Sequence, residues 1–131
     1  MTAWRWIDRA VLIAIHDVQL AEHGGGAGLR DRNLLESALA KPENLAAYGE
    51  PDAAALAVAH AYGISRDQAF IDGNKRTALV AAELFLRLNG WRLEVDDADC
   101  VLTILLVAKG DITEHAFADW LRLHSHKKLV K

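Results

Sequence analysis

The stretch from Asn74 to Asn89 constrains this chain most. It reads as one helix in which Arg76, Glu83 and Arg87 fall along a single narrow stripe, while most of the rest is Ala, Leu, Val and Phe. A helix apolar around so much of its circumference has to be nearly enclosed by other helices. Its N-terminus is then held by the whole core and forms a rigid platform.

The neighbours that could enclose it are legible in the spacing of apolar residues. Ile7, Val11, Ile15 and Val18 recur at helical intervals, which predicts a first amphipathic helix over roughly Trp6 to Glu22, ended by Gly24-Gly25-Gly26. Asn33 followed by Glu36 has the spacing of a helix start, and Pro42 is expected to close that short second helix. Pro51-Asp52 opens a third, running through Ala-rich sequence to about Ile64. Beyond the fourth helix and Gly90, Trp91 to Val95 alternates apolar with polar and predicts a short strand or extended link. A fifth helix is expected from Asp97 to Ala108, stopped at Gly110. A sixth starts at Asp111 with Glu114 and turns Phe117, Trp120 and Leu121 inward. The basic tail from His124 to Lys131 is expected to fray. The expectation is an all-α single domain over residues 1–131, of about six helices with at most one short β segment.

Bulk properties fit that picture and narrow the function. The chain has 131 residues, 52% of them hydrophobic, enough for a core without disulfides or a structural metal. Its net charge of −3 argues against a general nucleic-acid binder but leaves room for one local cationic pocket. Cys100 is the only cysteine, so no intrachain disulfide can form, and its apolar surroundings mark it as a small buried hydrophobe. The apolar stretch near the N-terminus is broken early by His16 and Asp17, and no later segment approaches a membrane span, so a cytoplasmic location is expected. The histidines at positions 16, 23, 60, 115, 124 and 126 show no convincing ligand spacing.

The chemistry concentrates in Gln68-Ala69-Phe70-Ile71-Asp72-Gly73-Asn74-Lys75-Arg76-Thr77, where a loop meets the fourth helix. Lys75 and Arg76 stand in the first turn, where the backbone dipole already places positive charge and each cation costs about 0.3–1 kcal/mol. Two cations beside free N–H groups make sense if an anion sits among them, and phosphate is the natural candidate. Gly73 lets the backbone approach that anion. Asp72 reads either as a turn or cap residue or, beside phosphate, as a carboxylate for Mg²⁺. Asn74 is either a cap or an amide donor to the anion. Phe70 reads as a core anchor fixing the loop, and Arg76 could equally belong to the solvated stripe with Glu83 and Arg87.

Taken together these residues resemble the Fic/Doc family, whose signature is His-x-Phe-x-Asp/Asn-Gly/Ala-Asn followed by Gly-Arg or Lys-Arg. Six fixed positions are present: Phe70, Asp72, Gly73, Asn74, Lys75 and Arg76. The Lys75-Arg76-Thr77 ending is that of the Doc branch. Gly28-Leu29-Arg30-Asp31, Leu34 to Leu39, Tyr48-Gly49 and the segment from Gly110 to Leu121 extend the resemblance over nearly the whole chain. It implies a Fic-fold bundle around the motif helix. It also implies ATP and Mg²⁺ as cofactors, and toxicity through transfer of the γ-phosphate to a threonine of elongation factor Tu. Asp72 would hold Mg²⁺. Phe70, Gly73, Asn74, Lys75 and Arg76 would form the nucleotide site, and position 68 would take the proton from the target hydroxyl.

This sequence departs from the family's pattern at two places. AMP-transferring members usually carry a second Arg where this chain has Leu79, and Lys75 replaces a Gly, so the Doc reading is favoured over AMP transfer. The motif histidine is here Gln68, which cannot act as a general base near neutral pH. That loss commonly costs about 10²–10⁴-fold in rate, so impaired phosphotransfer is expected. A single lesion beside an otherwise whole cluster resembles deliberate inactivation more than drift, which should also erode Asp72, Asn74 and Lys75. A non-catalytic module binding nucleotide or a partner is the remaining alternative. No Ser or Thr has Glu four residues on, so the family's self-inhibitory Ser/Thr-x-x-x-Glu segment is lacking, and a separate Phd-type antitoxin is the expected partner.

Overall fold

The computed structural model describes residues 3–127. The elements run α1 (Arg9–His23), α2 (Arg32–Tyr48), α3 (Ala53–Asp67), α4 (Asn74–Leu88), β1 (Trp91–Leu93), α5 (Asp97–Lys109), α6 (Glu114–His124) and β2 (Ser125–Lys127). The architecture is therefore the expected mostly helical bundle. α4 sits at its centre, touched by α1, α3, α5 and β1. Ala78, Ala81, Ala82, Phe85 and Leu86 of α4 are all buried, and Trp4 and Trp6 from the segment before α1 close over Phe85 with ring centroids 6.1 and 5.8 Å away.

Local chemistry sets the helix starts. Asp8, Asp31, Asp52 and Thr113 each accept a backbone N–H of the first turn of α1, α2, α3 and α6, satisfying donors that no helical carbonyl reaches. The caps of α2 and α6 thus lie two residues to either side of the expected starts: Asp31 precedes Asn33, and Thr113 follows Asp111.

Three expectations are corrected. Pro42 lies inside α2 rather than closing it. The face of α2 that meets α3 carries Leu35, Ala38, Pro42 and Ala46, so burial on both sides of the proline outweighs its missing N–H. The helices approach closely there: a Cβ added to Gly63 of α3 would stand 3.3 Å from the Ala38 Cα. In α1, Leu12 and His16 face the core, whereas Val11 and Val18 of the expected stripe are 40% and 52% exposed. The tail does not simply fray. Ser125 to Lys127 pairs antiparallel with β1, in the register Trp91 with Lys127, Arg92 with His126 and Leu93 with Ser125. The extended link after α4 thereby gains the partner that its backbone groups need. Residues 128–131 of the expected tail lie outside the described residues.

No helix among the described residues is long and apolar enough to cross a membrane.

Candidate active site

The loop between α3 and α4 is tied down from two directions. α3 ends at Asp67, and Gln68 turns the chain through the left-handed region (φ 53°, ψ 52°), the one non-glycine residue among those described to do so. Such a conformation is uncommon outside glycine and persists where its surroundings enforce it. The enforcement comes from segment 28–31. The Ala69 carbonyl accepts from the backbone N–H of Arg30 (2.7 Å) and of Asp31 (3.0 Å), and Ile71 N–H donates to the Gly28 carbonyl (3.0 Å). The Arg30 guanidinium donates to the carbonyls of Gln68 (2.8 Å) and Asp67 (3.1 Å).

α1 supplies the second restraint. Phe70 is 2% exposed, and the imidazole of His16 stacks on it with centroids 3.8 Å apart and planes 10° from parallel. His16 Nε2 donates to the main-chain oxygen of Asp72 at 2.7 Å, which fixes its tautomer. Asn74 closes the turn from the other side. Its Oδ1 accepts from Phe70 N–H (3.0 Å) and its Nδ2 donates to the Phe70 carbonyl (2.9 Å).

These restraints present the start of α4 to an open cavity of about 350 Å³. Its polar wall includes Ser65, Gln68, Asp72, Lys75 and Arg76, with Gly73 and Asn74 between them. Its apolar wall is Leu79 with Val101, Ile104 and Leu105 of α5. Gly73 occupies the N-cap position in a left-handed conformation (φ 76°) that favours glycine, and no side chain caps the helix. No acidic residue stands in the first turn of α4. Neither Lys75 nor Arg76 has an ion-pair or hydrogen-bond partner among the described residues, and both are exposed. Two unpaired cations at the positive end of a helix dipole make this a favourable place for an anion.

Asp72 is exposed at the edge of the same cavity. Its Oδ1 accepts from Gly73 N–H and its Oδ2 from Gly26 N–H, both at 3.2 Å. No group of three or more His, Cys, Asp or Glu side chains able to hold a metal occurs among the described residues. A lone carboxylate would fit a Mg²⁺ that keeps most of its ligands from nucleotide and water, and does not fit an all-protein metal centre.

The structure thus brings Gln68, Asp72, Gly73, Asn74, Lys75 and Arg76 to one cavity, and leaves one expected contact out. Phe70 contributes nothing to the cavity lining; it anchors the loop from beneath, as its burial requires. Asn74 lines the cavity, while its side-chain amide is committed to Phe70 rather than free for an anion. Leu79 lines the apolar wall at the position where a second phosphate-clamping Arg was found missing. Burial, with help from nearby Glu83, pushes the Cys100 thiol up to about 11, which leaves it an inert core residue.

Sequence reasoning missed two residues that shape the site, His16 and Arg30. The signal for His16 was a histidine four residues after Leu12 on what proves to be the inward face of α1. The signal for Arg30 was absent locally, because its acceptors lie 37 and 38 residues away.

Comparison with known proteins places these features in context. The family model described as Fic/DOC family matches residues 6–86. The chain is 34% identical over 119 residues to "Protein kinase doc" of Escherichia phage P1, covering 90% of this chain and 94% of that protein. It is 41% identical over 76 residues to "Toxin Doc" of Mycolicibacterium smegmatis, covering 56% of this chain and 58% of that protein.

Proposed function

The chain belongs to the Fic/DOC family, and from that premise we propose that it is a Doc-type toxin built to transfer the γ-phosphate of ATP to a hydroxyl of a translation factor. The observation that carries this reading is the pair Lys75 and Arg76, unpartnered at the uncapped N-terminus of α4 and facing a cavity. The name of the phage relative, a protein kinase, supports phosphoryl transfer as the reaction. The target we propose is a threonine of elongation factor Tu.

In this reading the free N–H groups of the first turn, with Lys75 and Arg76, bind the phosphates and hold them in place for in-line attack. Asp72 would hold Mg²⁺ arriving with the nucleotide, and the ion would neutralise charge on the phosphate oxygens. Gln68 lines the same cavity, where a target hydroxyl would enter. A histidine there would accept the hydroxyl proton as the oxygen attacks phosphorus. Gln68 can hydrogen-bond that hydroxyl and orient it, but it cannot take the proton, so this chain turns over slowly. The apolar Leu79 in place of a second cation disfavours AMP transfer. Inhibition falls to a separate Phd-type antitoxin.

Gln68→His tests the proposal. With ATP labelled on the γ-phosphate, transfer to elongation factor Tu should rise by about 10²–10⁴-fold over the parent chain, with bacterial growth arrest. ATP labelled on the α-phosphate should give no transfer. A folded Gln68→His protein that neither arrests growth nor transfers label would refute the enzymatic reading. If nucleotide still stabilised that harmless protein, the second reading would stand, a non-catalytic nucleotide-binding module, which Gln68 itself favours.

A further inference from the structure

Asp72, in the loop before α4, is held by two hydrogen bonds from the segment at the end of α1 and is crowded by a third residue there. His16 Nε2 donates to its main-chain oxygen at 2.7 Å, from a residue only 1% exposed. Gly26 N–H donates to its Oδ2 at 3.2 Å. Gly25 lies so close that an added Cβ would stand 3.0 Å from the same Oδ2 and 3.2 Å from the carboxyl carbon. His16 belongs to α1 and the two glycines to the loop that follows it. A single continuous segment therefore fixes both the backbone and the carboxylate of one residue 46 to 56 positions away.

A purely structural account covers only part of this. Burial of Leu12 would dock α1 onto α4 without any polar contact. Stacking on Phe70 would be served as well by a phenyl ring. The added elements, an imidazole N–H and a backbone N–H, both converge on Asp72, the one carboxylate in the cavity lining.

We infer that His16 and the Gly25-Gly26 turn are positioning residues that orient Asp72 toward a divalent cation brought in with nucleotide. The inference deepens the proposed function and rests on its reading of Asp72 as the metal ligand. His16 fixes where the Asp72 backbone stands, and the Gly26 N–H occupies one lone pair of Oδ2 and sets the rotation of the carboxylate. Outer hydrogen bonds of this kind tune ligand geometry, and losing one typically weakens metal binding about 10–100-fold.

The test uses the full chain with Mn²⁺ as probe and a non-hydrolysable ATP analogue, read by electron paramagnetic resonance and by calorimetry. His16→Phe keeps the ring stack and deletes the N–H. Gly25→Ala leaves the core untouched, places a methyl against Oδ2 and, at a φ of 121° that alanine rarely adopts, shifts the turn that carries the Gly26 N–H. For both, Mn²⁺ affinity in the presence of the analogue should fall about tenfold or more, and the Mn²⁺ line shape should change. Affinity for the analogue without metal should stay within about twofold of the parent. Unchanged Mn²⁺ affinity and line shape in the folded variants, while Asp72→Ala abolishes them, would overturn the inference alone. Unchanged Mn²⁺ binding in Asp72→Ala would overturn the metal-ligand reading beneath it. If His16→Phe does not fold, Gly25→Ala decides.

Discussion

Arg30 and Gln68 are linked side chain to backbone: the guanidinium Nε donates to the Gln68 carbonyl oxygen at 2.8 Å, while Nη2 reaches the Asp67 carbonyl at 3.1 Å. Both acceptors lie at the C-terminal end of α3, where carbonyls lack helical partners and the dipole is negative. One cation thus satisfies two orphan acceptors. It also holds residue 68 in a left-handed conformation that would otherwise cost on the order of 1 kcal/mol.

Removing that clamp separates folding from chemistry. Arg30 is exposed, so its bonds are screened and Arg30→Ala should lower stability by only about 1 kcal/mol. Position 68 would lose its fixed direction, however. In a Gln68→His background, Arg30→Ala should reduce phosphate transfer at least about tenfold, since small misplacements of a catalytic group are costly. Chemical denaturation and label transfer on the same preparations check both halves. An unchanged transfer rate would show that Arg30 does not position residue 68.

The two cations of the cradle give a prediction of opposite sign for the free and the liganded protein. Lys75 and Arg76 sit at the wrong end of the α4 dipole and have no partner among the described residues. Replacing each with Ala should therefore stabilise the ligand-free protein, by about 0.3–1 kcal/mol per site at low salt. The same changes should remove most of the stabilisation conferred by ATP, which follows mass action on the folded state. Thermal unfolding with and without nucleotide measures both. If the substitutions destabilise the free protein, these residues are structural.

How much of this was readable in the sequence depends on whether the determining contacts are local. The central helix was legible because its polar stripe is so narrow, and the cluster from Asp72 to Arg76 because those residues are adjacent. The inward face of α1 was not, since apolar residues lie on both sides: Val11, Ile13 and Val18 are exposed while Leu12 is fully buried. Periodicity alone admits two faces there, and the true one includes a histidine. Pro42 misled because the interaction that carries α2 past it is packing on α3, which local propensity does not contain. β2 is Ser-His-Lys, three residues with no strand character, and exists because β1 offers it an edge.

Asp52 joins two helices and does two jobs. Its Oδ1 caps α3 by accepting Ala55 N–H at 2.9 Å, and both oxygens accept from the Arg122 guanidinium of α6, at 2.7 and 2.9 Å. The hydrogen bond to Arg122 holds its carboxyl below the usual 3.8. A depressed carboxylate contributes stability that is present above its ordinary value and is lost as pH falls through the lower folded one. Asp52→Asn keeps an oxygen for the cap and should cost little near neutral pH, because the pair is largely exposed. Asp52→Ala loses the cap as well and should cost about 1–2 kcal/mol. Denaturation at pH 7 ranks the two, and equal losses would mean that the cap is idle.

His60 governs a different part of the pH scale. It is 2% exposed, donates from Nδ1 to the Leu56 carbonyl at 2.8 Å, and lies against Phe85 with ring centroids 4.6 Å apart. Burial pushes its pKa down from 6.5 to about 4, so the folded protein keeps the ring neutral where the unfolded chain binds a proton. Well above pH 6.5 neither state is protonated and the group adds no pH dependence. As pH falls from 6.5 toward 4 only the unfolded state gains the proton, so stability falls by about 1.4 kcal/mol per unit. That amounts to about 2 kcal/mol between pH 6.5 and 5, in a window where Asp52 is still ionised in both states. Substituting His60 with Phe should flatten the denaturation midpoint across this window, whatever its effect at pH 7. A slope left intact in that variant would mean that another group drives the acid sensitivity of the core.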